Sequence, residues 1–167
     1  ESTCQMGAHY VKRDATSLRI LMDKAEFMHK KGYNCAETVA WALSGYWNLD
    51  ISIAAVTGLG GGIARSGETC GALAGAIVAL GYKVGRVDPA DDAKKLLVYK
   101  MGQQLIERFT EEMESSACKD IIGFVLGEPG GAERYASGGF KDGRCKDAID
   151  CAVKAAVDIC EKEEAQS

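Results

Sequence analysis

Cys70-Gly71-Ala72-Leu73-Ala74-Gly75-Ala76-Ile77-Val78-Ala79-Leu80-Gly81-Tyr82 is a run without a single charged residue. Its spacing is helical, and Gly71, Gly75 and Ala79 fall at i, i+4 and i+8, which places the smallest residues on one face. A face without bulky side chains lets a second helix approach closely, so this is the expected centre of a helical core. The run is about a dozen residues long, short of the ~18 to 20 that span a bilayer, and reads as a core helix rather than a membrane segment.

Outward from this run the same period recurs. Asp14 to Lys31 carries Leu18, Leu21, Ala25 and Met28 at steps of three and four, and Gly32 stands where a helix stops. Asn34 followed by Glu37 is a capping-box arrangement for a helix with Cys35, Val39, Ala42 and Tyr46 on its inner face, ending near Trp47. Ile51 to Thr57 suits a short third helix, and Gly58 to Gly62 a glycine-rich loop before the central run. Asp88 and Pro89 are expected to open the longest helix, with Ala93, Leu97, Met101, Leu105, Phe109 and Met113 inward. Ser115 is expected to cap a short helix through Cys118 to Ile122 that Gly123 closes. Gly127 to Gly143 reads as the one long loop, and Cys145, Ile149, Ala152, Ala156 and Ile159 define a last amphipathic helix. With no alternating strand and no repeat, the expectation is an all-α bundle of about six helices. It forms one domain over 14–161, between an N-terminal tail at 1–13 and a charged tail at 162–167.

A chain of 167 residues with 47% apolar and 26% charged residues has the composition of a globular domain. The net charge of −4 lacks the basic footprint that nucleic acid or an anionic membrane surface selects, so neither is an expected partner. No charged-then-apolar leader opens the chain. The acidic charge and the use of thiols point to the cytoplasm.

The seven cysteines are an odd number, too sparse for a disulfide scaffold. Cys35, Cys70, Cys118 and Cys145 each fall at the expected start of a helix, on four different helices. A helix start offers unpaired N–H groups and the positive end of the dipole, which favour a thiolate for metal ligation or nucleophilic attack. Four thiolates match the ligand count of an iron-sulfur cluster or of tetrahedral zinc. The same residues also suit small buried core positions, or a thiol couple in which Cys70 attacks a partner disulfide. No Cys-x-x-Cys pair occurs, so any ligand set must converge through the fold, and no covalent c-type haem motif is present. Cys151 lies in the last helix, rotated by roughly 240° from Cys145 at ~100° per residue, and Cys145 fits the fourth position better. Cys160 reads as helix filler or a dimer contact. Cys4, with His9 five residues on, reads as a thiol in the terminal tail.

Cys70-Gly71-Ala72-Leu73-Ala74-Gly75, with Gly67 before it and Ala76 to Gly81 after it, resembles the hallmark of the redox-active protein family named for its C_GCAxxG_C_C signature. Gly32-Tyr33-Asn34-Cys35-Ala36-Glu37 is similar to that family's first cysteine motif, Cys118 with Ile121 to Gly123 to its third, and Cys145 to its fourth. The resemblance covers roughly Leu18 to Ile159. A related domain occurs in split-Soret cytochrome c, a homodimer for which an iron-sulfur centre beside the haems has been suggested. The resemblance therefore implies a [2Fe-2S] or [4Fe-4S] cluster on Cys35, Cys70, Cys118 and Cys145, electron transfer to a partner protein, and a homodimer. The haem role does not carry over, and the exported cytochrome pulls the expected compartment toward the periplasm.

The expected function is a small electron-transfer protein with no catalytic residue and no substrate pocket of its own. The alternatives are a metal-free thiol/disulfide oxidoreductase on the same cysteines and a zinc-stabilised helical interaction module. Backbone N–H groups of Gly60 to Gly62, Arg65 and Ser66 are expected to approach the cluster sulfurs, where they and the Arg65 charge raise its potential. Gly58 to Gly62 lacks the Lys-Ser/Thr ending of a phosphate loop. His29 reads as a surface residue, and Tyr33, Trp41, Tyr46 and Trp47 as core or dimer interface. The helices at Cys70 to Tyr82 and Cys35 to Trp47 are the candidate dimer contacts.

Overall fold

The computed structural model describes residues 15–167; the 1–13 tail, Cys4 and His9 lie outside the described residues. The fold is all-α. Among the described residues seven α-helices follow in order: α1 (Ala15–Lys30), α2 (Cys35–Trp47), α3 (Gly71–Val84), α4 (Asp92–Met113), α5 (Cys118–Ile122), α6 (Gly131–Ser137) and α7 (Arg144–Gln166). A 3-10 helix, Ile53–Leu59, lies between α2 and α3. The described residues hold no β-strand, and a single antiparallel bridge joins Thr69 to Ala117.

The central run forms α3, which packs against α2, α4 and α7. Its small-residue face lies on α2. A Cβ built on Gly75 would stand 2.6 Å from the Ala36 carbonyl oxygen, and one on Gly71 would stand 3.0 Å from that of Leu59. The small-residue face is thus used inside the chain. Asn34 caps α2 as a full capping box: Glu37 N–H donates to Asn34 Oδ1 at 3.0 Å, and Asn34 N–H donates to Glu37 Oε2 at 2.8 Å. Ala36, Val39, Ala40 and Leu43 of α2 meet Ala72, Leu73, Ala76 and Leu80 of α3 in one core, which Leu105 and Phe109 of α4 and Ile149, Ala152 and Val153 of α7 complete.

Several expected boundaries move. Asp91, not Asp88, caps α4, accepting from Lys94 N–H at 3.0 Å, while Asp88 holds a turn by accepting from Ala90 N–H at 2.8 Å. Asp88 and Asp91 both offer a capping carboxylate, and the turn through Pro89 consumes the first. The longest helix is α7, of 23 residues against 22 in α4. It continues through the charged end to Gln166, where Glu163 and Glu164 pair with Lys100 and Lys83. Ala117, not Ser115, occupies the cap position of α5, because the chain supplies what a side chain would. Cys118 N–H donates to the Glu68 carbonyl at 2.7 Å and Lys119 N–H to that of Gly67 at 3.0 Å. The expected long loop at Gly127 to Gly143 contains α6.

The α2–α3 crossing yields a prediction of opposite signs. Gly75→Ala forces backbone apart and lowers stability by about 1–3 kcal/mol. Gly81→Ala, whose Cβ meets nothing within 4 Å, raises stability by about 0.4–1 kcal/mol. Thermal unfolding of the two variants beside the parent checks both signs.

Candidate functional site

Four helices begin around one cavity. Cys35 is the first residue of α2, Cys70 immediately precedes α3, Cys118 is the first residue of α5, and Cys145 is the second of α7. All four line a cavity of about 480 Å³. Backbone pairing sets two of them side by side: residues 67–70 run along 116–119, with Cys70 N–H donating to the Ser116 carbonyl at 2.8 Å. The α2–α3 crossing brings Cys35 to the same place, and Cys145 N–H donates to the Phe140 carbonyl at 2.9 Å as α7 starts. Cys151 and Cys160 are buried in α7 and do not line the cavity, and no disulfide joins any of the described cysteines. Among the described residues, no three His, Cys, Asp or Glu side chains stand close enough to hold a single metal ion. The four cysteines share the lining of one cavity.

Burial and the helix starts oppose each other at these thiols. Burial pushes Cys70 up to about 11, although the N–H groups of Ala72 and Leu73 pull it the other way. Cys70 is therefore not the low-pKa nucleophile expected of it. Burial also pushes Cys118 up to about 12, with the charges of Cys70 and Cys145 adding to the rise. Cys145 moves down, because the Cys35 thiol donates to its sulfur and the Tyr135 hydroxyl does the same against the cost of burial. Cys35 moves up, through that hydrogen bond first and burial second. The two thiols are coupled, with ionisation favoured at Cys145 and opposed at Cys35. Cys151 belongs to a separate environment, where burial and then the Glu112 carboxylate hold its thiol up at about 12.

Tyr135 was not visible as a site residue, because α6 is short, flanked by glycine and without apolar periodicity. Aromatic packing holds it there. Phe140 meets Phe124 edge-on at 5.2 Å and stacks on Tyr135 at 6.2 Å between centroids, while Arg134 covers the Phe124 ring. His29 is not the expected surface residue. It is 5% exposed, lines the cavity, and donates from Nδ1 to the Tyr33 carbonyl at 3.0 Å, and burial moves its pKa down. The turn at Tyr33 and the segment at Lys141 cover it, and the pattern of α1 alone carries no sign of either.

The glycine loop takes a rarer form than expected. Gly61, Gly62, Ile63, Ala64 and Arg65 all have φ between 50° and 71°, a single left-handed turn. Such backbone costs L-residues about 1–2 kcal/mol each and is least tolerable for β-branched Ile63. Gly62 permits it where a Cβ would lie 2.6 Å from that of Cys118. The amides of Arg65 and Ser66, expected to reach a cluster, donate within the turn to the carbonyls of Gly60 and Ile63. The Arg65 side chain lines the cavity rim.

Residues 33–159 match the family described as "Putative redox-active protein (C_GCAxxG_C_C)", and the chain belongs to that family. The matched span contains all four cavity cysteines and Tyr135. No curated protein and no solved structure matches the chain. Among the described residues no helix is long and apolar enough to cross a membrane.

The thiol environment sets a pH dependence for the metal-free protein. An unfolded chain ionises Cys70 and Cys118 near 9.0, whereas the folded chain keeps their protons to about 11 and about 12. Above pH ~9 the unfolded state therefore binds fewer protons, and stability falls as pH rises toward ~11–12. Chelator-treated protein should show a thermal midpoint that declines from pH 9 to 11. The Cys70→Ala/Cys118→Ala variant should show a shallower decline over the same range.

Proposed function

We propose that this member of the redox-active family holds an iron-sulfur cluster on Cys35, Cys70, Cys118 and Cys145 and serves in electron transfer. The observation that carries this reading is the convergence of four cysteines, distant in sequence, on one cavity at four helix starts. The donor set fits the group: four cysteines and no carboxylate line the cavity, which matches cluster ligation. Such a cluster, when bound, supplies one-electron chemistry. The chain's own part is to give up the thiol protons, orient the sulfurs from rigid helix starts and limit water with Ile121, Ile122 and Leu126. Tyr135 would keep its hydrogen bond to the Cys145 sulfur, a contact that tunes potential.

The hydrogen bond between Cys35 and Cys145 favours a second reading, in which Cys145 is the nucleophile of a thiol couple and Cys35 resolves the mixed disulfide. One set of measurements separates the two. Iron and acid-labile sulfide in anaerobically purified protein, with visible absorption that bleaches on dithionite, are expected for the cluster. Ser at position 35, 70, 118 or 145 should then lower iron content severalfold, while Cys151→Ser leaves it unchanged. Colourless protein after attempted reconstitution, with Cys145 alkylated ahead of Cys35 and slowed by Tyr135→Phe, would transfer the function to the thiol couple.

We also propose a homodimer through α4. Outside the core that its Leu105 and Phe109 join, this helix exposes Leu96 (61%), Tyr99 (59%) and Ile106 (40%). Its Lys94, Lys95 and Lys100 already pair with Asp91, Asp92 and Glu163, so it is the exposed apolar side chains that a second copy would cover. Sedimentation should give a dimer for the parent and a monomer for Leu96→Glu/Tyr99→Glu; a monomeric parent would dismiss this interface.

A further inference from the structure

The cavity carries a charge pattern that thiol ligation leaves unused. Arg65, Lys141 and His29 line it, and no aspartate or glutamate does, in a chain whose net charge is −4. Arg86, Arg108 and Arg144 each pair with a carboxylate, whereas among the described residues neither Arg65 nor Lys141 makes an ion pair. The nearest acid in sequence, Asp142, is exposed and does not line the cavity. His29 lines the same cavity with its Nδ1 proton given to the Tyr33 carbonyl, and its buried Nε2, near the Lys141 backbone and within reach of the Asp142 charge, makes no hydrogen bond of its own. A buried acceptor without a partner calls for an occupant that carries a hydrogen, as a protonated oxyanion such as hydrogen phosphate does. The helix starts that present the cysteines add their positive dipole ends to the same space.

We propose that the mouth of this cavity binds a small inorganic oxyanion, held by the Arg65 guanidinium and the Lys141 ammonium beside His29. A guanidinium presents paired N–H donors that match two oxygens of one anion, and an ammonium adds a point charge from a flexible stem. Arg65 is exposed and Lys141 half-buried, so the two cations meet an anion arriving from solvent before it reaches the sulfurs. This names the ligand class of the redox site and rests on that reading for its biological role. The binding itself needs only the chain's cations.

The test titrates phosphate, sulfate and sulfite, with chloride as the control at constant ionic strength, into the full chain as purified and after iron removal. Calorimetry gives stoichiometry, and the His29 ring resonance gives location, since the chain has only 2 histidines. One saturable oxyanion site per chain, a shifted His29 signal and binding at least tenfold weaker in Arg65→Gln/Lys141→Gln are expected. No saturable binding in either preparation would overturn the inference, as would undiminished binding in the double variant or equal binding of chloride. Iron content is read separately, so an intact cluster without anion binding defeats this inference alone. Anion binding without iron uptake defeats only the cluster reading.

Discussion

Everything at the site depends on how closely α2 and α3 can cross. At Gly75 the two backbones approach to a distance that no side chain permits, and at Gly71 the chain after the 3-10 helix comes almost as near. This contact is steric before it is attractive: removing the Cβ atoms lets dispersion act between main chains, and burying Ala36, Ala40, Ala72 and Ala76 around them adds the hydrophobic gain. Because Cys35 and Cys70 stand at the starts of these two helices, the crossing also sets where their sulfurs lie. The other two cysteines are referred to the same point by backbone hydrogen bonds, from 67–70 to 116–119 and from Cys145 to Phe140.

The electrostatics of the cavity are a contest decided in opposite ways at neighbouring positions. Each cysteine has the positive end of a helix behind it, yet burial outweighs that influence at Cys70 and Cys118. Only Cys145, with two hydrogen-bond donors aimed at its sulfur, turns the balance toward the thiolate. A helix start is therefore insufficient by itself to make an acidic thiol in a dry site. Named donors decide the outcome, and one of them, Tyr135, is held by an aromatic cluster built from the glycine-rich segment.

The long amphipathic helices were legible because their apolar period is long enough to be unmistakable, and the Asn34–Glu37 capping box fixed the start of α2 to the residue. The placement of Cys35, Cys70, Cys118 and Cys145 at helix starts followed from the same periods. Where two residues could do one job, sequence could not choose: Asp88 and Asp91 both cap, and the Pro89 turn decided between them. Where a short element depends on tertiary packing, sequence was silent. α6 exists because Phe124, Tyr135 and Phe140 pack together, and His29 is buried because a segment more than a hundred residues later lies over it. The left-handed turn at Gly61 to Arg65 was the least legible, since Ile63 argues locally against it and only the surrounding hydrogen bonds hold it in place.

The position of α7 carries a consequence for biogenesis. It follows the other six helices in the chain, and it brings both Cys145 and the helix that closes one side of the core. Until it emerges, a nascent chain displays three of the four thiols in an incomplete hollow, together with the apolar faces of α3 and α4 that α7 will cover. The cavity is therefore complete only once α7 has docked on the helices before it. A chain that terminates early forfeits both its fourth sulfur and its core in one stroke, so truncated copies are left unfolded for proteolysis and do not persist as defective sites.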